Sequence, residues 1–127
     1  MTPEQLAAPN TEHAHQTALF CWVNRNLEKY PELKWLHAIP NGGERNAAVA
    51  ARLKAEGVKS GVSDISLPCA RKGFHGLYIE MKKPGGRESA NQKEFGAYLI
   101  EQKYLYRCCD HWEKARETLD WYMSEGT

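Results

Sequence analysis

Residues 64–68 (DISLP) and 76–83 (GLYIEMKK) set the tightest limit on what this chain can become. Both alternate apolar with polar residues at period two, the mark of β-strands, and the short basic, Gly-containing loop 69–75 between them suggests a hairpin. Along the second strand Leu77, Ile79 and Met81 face one way and belong to a core, whereas Tyr78, Glu80 and Lys82 face the other. Glu80 and Lys82 thus stand side by side, with Cα atoms roughly 7 Å apart. Asp64 opens the neighbouring strand directly after the turn Gly61-Val62-Ser63, so pairing of the two strands brings two carboxylates and an ammonium together.

Two carboxylates held about 4 Å apart repel by about 4 kcal/mol at an effective dielectric of about 20, which makes such a site unfavourable when empty. A divalent cation resolves the repulsion. Ligation by Asp64, Glu80 and a nearby backbone carbonyl, with waters completing an octahedron, is an all-oxygen environment suited to Mg²⁺ or Mn²⁺. An ion so placed lowers the pKa of a bound water and neutralises charge developing on a phosphate, while Lys82 supplies further positive charge. The chemistry indicated is phosphodiester hydrolysis. An E-x-K on a strand is also frequent as an exposed ion pair worth under about 1 kcal/mol, so the weight lies on the combination with Asp64 and the helix that follows. In that helix Ser89 and Gln92 form an S-x-x-Q capping box, and Gln92 is also within reach of the site across the loop Pro84-Gly85-Gly86-Arg87. Glu12 and Gln16 put polar groups on the stripe that continues through Leu19 and Val23; Glu12 suits either the macrodipole of its own helix or the edge of a metal site.

The rest of the chain supplies a frame for this centre. Thr11 caps a helix of about twenty residues that Pro31 stops. Residues 34–39 (KWLHAI) read as a short strand followed by the turn Pro40-Asn41-Gly42-Gly43, and Asn46 caps a second helix reaching Glu56, ended by Gly57. The third helix runs from Ser89 to about Gln102, YLYRCC at 104–109 is a strand, and the last helix starts at Asp110, with Glu113 in a capping box, and reaches about Met123. The order αβαββαβα defines an α/β domain, a mixed β-sheet flanked by helices, over residues 11–127, with residues 1–10 expected to be a flexible segment.

A formal charge of +1, from 17 Lys and Arg against 16 Asp and Glu, argues against a protein that merely coats nucleic acid. It leaves room for a nuclease, in which metal-binding carboxylates offset phosphate-binding cations. Lys59, Lys83, Arg87 and Lys93 fall around the candidate site and are the candidate phosphate contacts. The four cysteines contain no C-x-x-C pair, and Cys108 and Cys109 are adjacent, so neither a disulfide framework nor a zinc site is indicated. No apolar run approaches the about 20 residues that cross a bilayer, and the start MTPEQLAAPNTEH lacks the pattern of a secretory signal; no membrane association and a cytoplasmic location are expected.

Taken in order, EHAHQTALFCWV, AIPNGGERN, ARLKAEGVKSGVSDISLP, HGLYIEMKKPGG, SANQKEFGAYL and HWEKARETLDWY resemble a stand-alone VRR-NUC domain, a branch of the restriction-endonuclease-like PD-(D/E)XK superfamily. The resemblance spans about Glu12 to Met123. It implies a restriction-endonuclease-like fold, metal binding by Asp64, Glu80, the Ile79 carbonyl and the first-helix acid Glu12, and catalytic roles for Asp64, Glu80, Lys82 and Gln92. The turn Ile39 to Gly43 is similar to the family's turn near the substrate, which adds Asn41, Gly42, Gly43 and Arg45 to the candidate nucleic-acid contacts. Ser63 departs from the proline that many relatives carry before the aspartate, which alters the turn and removes no ligand. The implied activity is a Mg²⁺-dependent endonuclease, with Mn²⁺ as substitute, acting as a phage or bacterial homodimer on branched DNA such as four-way junctions. Two metal centres are what symmetric cutting of a junction needs. The Trp- and Tyr-bearing helices are candidates for the dimer contact, although residues such as Trp22, Trp112 and Trp121 are more often core. The alternative is a catalytically silent nucleic-acid-binding module.

Overall fold

The computed structural model describes residues 1–40 and 46–126. A four-stranded mixed sheet lies at its centre, built from β1 (His37–Ala38), β2 (Ile65–Leu67), β3 (Leu77–Met81) and β4 (Leu105–Cys109) in that spatial order. β2 pairs antiparallel with β1 and β3, and β4 lies parallel to β3. The hairpin expected from residues 64–83 is present, with Ile65 opposite Ile79 and Leu67 opposite Leu77.

Among the described residues, five α-helices surround the sheet: α1 (Pro3–Ala7), α2 (Glu12–Arg25), α3 (Ala47–Ala55), α4 (Ala90–Glu101) and α5 (Trp112–Met123). Leu77, Ile79 and Met81 are fully buried together with Ile65 and Leu67, and they share one core with Ala18, Leu19 and Val23 of α2 and Ala115, Leu119 and Tyr122 of α5. The opposite face of the sheet is covered by α4, where the rings of Phe95 and Tyr78 meet edge-on with centroids 5.7 Å apart. Gly96 of α4 is buried against Tyr106, and a Cβ there would sit 2.6 Å from the ring, so only glycine lets the helix lie this close to β4. Helices thus cover both faces of the sheet, a restriction-endonuclease-like architecture. No helix is long and apolar enough to cross a membrane among the described residues.

Several expectations are corrected. Residues 1–10, expected to be flexible, carry α1, with a capping box in which the Thr2 hydroxyl accepts from Gln5 N–H at 3.1 Å and Gln5 Oε1 accepts from Thr2 N–H at 2.8 Å. Pro3 and Ala7 are buried. α2 starts after Thr11 as expected and ends at Arg25, short of Pro31, because the Asn26 side chain donates to the Trp22 carbonyl at 2.7 Å and closes the last turn. The expected strand 34–39 begins inside a 3₁₀ turn, Pro31–Trp35, and of its residues only His37 and Ala38 pair as strand. Leu33 and Leu36 are both buried, a three-residue spacing that a 3₁₀ turn serves and a strand does not. α5 is capped by His111, whose ring accepts from Glu113 N–H at 3.1 Å. Asp110, the expected cap, is instead held by Lys114 Nζ at 2.6 Å and by Gly85 N–H at 3.3 Å.

His15 joins three of these elements. Only 1% exposed, it accepts from Trp112 N–H at 3.2 Å through Nδ1, which leaves Nε2 to donate to Asn10 Oδ1 at 2.7 Å. One neutral tautomer therefore ties the start of α5 to α2 and to the chain leaving α1. Trp112 is buried in the core and Trp22 packs against it, whereas Trp121 is 47% exposed. Cys108 and Cys109 point to opposite faces, the first exposed and the second buried, and all four cysteines are free thiols.

Candidate metal centre

Register alone places the first two acids. Because Ile65 faces Ile79, the next position along puts Asp64 opposite Glu80, and directly opposed residues of an antiparallel pair point to the same face. The backbone of Asp64 is pinned from the other side, since its carbonyl accepts from Ile39 N–H at 2.6 Å and so prolongs the β1–β2 pairing. Its side chain is pinned too: Met81 N–H donates to Asp64 Oδ2 at 2.8 Å.

Glu12, in the first turn of α2, completes the cluster from a third element. One carboxylate oxygen from each of Glu12, Asp64 and Glu80 lies within 4.8 Å of the others, and this is the group among the described residues able to hold a metal ion. Lys82 Nζ approaches Glu80 Oε2 at 4.0 Å. Gln92 closes its capping box and also touches the acidic cluster. Its Oε1 accepts from Ser89 N–H at 2.8 Å and closes the capping box of α4, while its Nε2 donates to Glu80 Oε2 at 3.1 Å.

The electrostatics agree with a site designed for a cation. Glu80 is 1% exposed, and burial, reinforced by Asp64 and opposed by Lys82, pushes its carboxyl up to about 9. Desolvation and Asp64 also raise Glu12 above the usual carboxylate range, against the pull of Lys82. Glu80 Oε1 is buried without a hydrogen-bond partner among the described residues. An orphaned buried carboxylate oxygen is expensive, and a divalent ion between it and its two acidic neighbours is the partner whose charge and oxygen preference fit. The donor set passes the test for a hard metal.

The backbone directions along β3 bear on the Ile79 carbonyl, the expected backbone ligand. Lys82 N–H donates to the Cys109 carbonyl at 2.8 Å and Leu105 N–H to the Gly76 carbonyl at 3.0 Å, so even-numbered positions direct their backbone groups to β4 and odd-numbered ones to β2. Ile79 is therefore directed into the ladder opposite Ile65. Met81 lies beyond the last β2–β3 pair, on the side of Asp64.

Gly61 sets the height of the turn that delivers Asp64. Its φ is +90°, and a Cβ there would lie 2.6 Å from the Asn91 carbonyl oxygen in the first turn of α4. Gly61→Ala is expected to destabilise the fold by about 1–3 kcal/mol, the scale of overpacking, and to shift Asp64; chemical denaturation measures the first effect and metal affinity the second.

The remaining candidates are spread around the centre. Lys59, Lys83, Arg87 and Lys93 are exposed on the segments leading into β2, leaving β3 and opening α4. Asn41, Gly42, Gly43 and Arg45 lie outside the described residues. The Glu88–Tyr106 hydrogen bond, which ties the loop before α4 to β4, went unnoticed in the sequence, where nothing in the spacing of the two residues pairs them.

A mixed sheet covered by helices on both faces, with acids gathered where two antiparallel strands meet, defines a domain of the restriction-endonuclease-like class. The comparisons narrow the class: the profile of the VRR-NUC domain matches residues 2–112, and the chain belongs to the VRR-NUC family of nuclease domains. A solved structure described as a VRR_NUC domain protein is similar over 88% of this chain and 87% of its own, at 29% sequence identity and a TM-score of 0.75. No curated protein matches the sequence.

Proposed function

We propose that the protein is a Mg²⁺-dependent endodeoxyribonuclease that recognises branched DNA, four-way junctions among them, and acts as a homodimer. The observation that carries this reading is the meeting of Glu12, Asp64 and Glu80 within 4.8 Å, with the Lys82 ammonium 4.0 Å from Glu80. Asp64 and Glu80 would hold the ion, with Glu12 closing the site from α2. The backbone ligand is better supplied by the carbonyl of Met81 than by that of Ile79, since Met81 already directs its N–H to Asp64. When bound, the ion would provide an activated water and offset charge building on the phosphate. Lys82 places a positive charge beside the reacting phosphate, and Gln92 keeps Glu80 in position through its amide. Lys83, Arg87 and Lys93 border the centre and suit contacts to the flanking phosphates. A second copy is what paired incisions of a symmetric junction require, since one chain offers one such cluster among its described residues.

Fluorescently labelled four-way junctions, flaps and plain duplexes incubated with Mg²⁺ test the reading. Cleavage of a branched form in preference to duplex, abolished by EDTA and restored by Mn²⁺, is expected. Absence of product from every substrate, or product that EDTA leaves unchanged, contradicts it.

A further inference from the structure

α2 carries a second feature, which starts at the metal centre and runs away from it. Glu12, Gln16, Phe20 and Asn24 recur at steps of four, each step rising roughly 6 Å, and so form one ladder along the helix that begins at the metal cluster. This ladder leaves the core stripe of Leu19 and Val23 and lines an open cavity of about 750 Å³, with Leu6 and Ala38 on its far walls. The side-chain amides of Gln16 and Asn24 have no hydrogen-bond partner among the described residues, and the half-buried Phe20 stands between them.

The chemistry of this lining is selective. Among the described residues it contains an aromatic ring, two amides, the imidazole of His13 and no lysine or arginine, and the one acid among them, Glu12, repels phosphate. A planar, neutral group with hydrogen-bonding edges fits; an anion does not. We infer that the cavity is a nucleobase subsite, which takes one unpaired base of the strand adjoining the scissile phosphate, its face against Phe20 and its edge to Gln16 and Asn24. The inference rests on the nuclease reading for the direction of the strand, because Glu12 belongs to both the metal cluster and the cavity. Base stacking on aromatic rings is tolerant of sequence, so the subsite would favour DNA in which bases near the cut are already unpaired, rather than a particular sequence.

Fluorescence anisotropy with the full chain, Ca²⁺ replacing Mg²⁺, and a set of labelled flap DNAs each carrying one abasic position tests the subsite, with DNA integrity checked on gels. One abasic position beside the cut is expected to weaken binding about tenfold, within the range of one lost base stack. The Gln16→Ala/Asn24→Ala variant is expected to lose a similar factor on intact DNA and nothing further on that abasic DNA; both positions lie off the core, and a thermal melt verifies folding. Affinity indifferent to every abasic position, equal losses of the variant on both DNAs, or no measurable binding overturns the subsite. Cleavage of the same DNAs in Mg²⁺ is scored separately. Cutting with a flat abasic scan removes the subsite alone, whereas a position-specific abasic effect without cutting upholds base recognition and removes the nuclease reading.

Discussion

Lys82→Ala is expected to lower DNA cleavage by about 10²–10³-fold while leaving divalent-ion affinity unchanged or slightly tighter. The first number is the usual cost of removing one preorganised charge from a site where negative charge develops. The second part follows from Coulomb's law: the ammonium, 4.0 Å from Glu80 Oε2, competes with any cation for the same carboxylates. Lys82 lies at the end of β3, where its backbone N–H is fixed by the Cys109 carbonyl at 2.8 Å, so truncating the side chain leaves the strand intact. Single-turnover cleavage and Mn²⁺ titration by calorimetry separate the two effects. Turnover near the wild-type rate would remove the lysine from the mechanism, and a large loss of metal affinity would make it structural.

The second large effect concerns stability without metal. Glu80→Gln is expected to stabilise the metal-free protein at pH 8 by on the order of 2 kcal/mol, a fraction of what the full shift of its carboxyl to about 9 represents. The sign follows from proton counting. Between the ordinary carboxylate value and about 9 the folded state holds a proton that the unfolded chain has released, so stability falls as pH rises through that window. Glu12, raised for the same reason of desolvation, acts in the same direction. Burial lowers the pKa of His15, so its contribution is present above its ordinary value and fades as the solution becomes acidic; burial also raises the thiols of Cys69, Cys108 and Cys109, which add a downward slope as pH 9 is approached, so the range from about pH 6.5 to 8 isolates the carboxylates. Melting curves in EDTA across that range are expected to slope downward for the wild type and to flatten for the variant, which keeps an amide to meet Gln92. Parallel curves would mean that Glu80 is charged and satisfied without an ion.

The part of the site made by strands was legible because period two is unambiguous. Leu77, Ile79 and Met81 could only be core, which left Glu80 and Lys82 on the other face, and Asp64 opposite them followed from the hairpin. Gln92 was legible as a cap and as a neighbour of the site, and its two ends serve both purposes. What failed was short or depended on competition between partners. The helix at residues 3–7 was not read from the sequence, because a five-residue helix is unstable alone and forms by packing on α2. Asp110 had the residue type of an N-cap, yet Lys114 and Gly85 claim it and His111 takes its place. On α2 the sequence put Glu12 and Gln16 on the core stripe, whereas they turn with Phe20 and Asn24 to line the cavity. A core stripe and an open stripe one residue apart look alike until the neighbouring elements are in place.

Crystals soaked in Mn²⁺ and measured near the manganese absorption edge put the metal centre to its most direct test. An anomalous peak ligated by Asp64 and Glu80, with Glu12 beside it and lost in Asp64→Ala, is the expected result. A peak elsewhere, or none at millimolar Mn²⁺ with the three carboxylates still clustered, would contradict it.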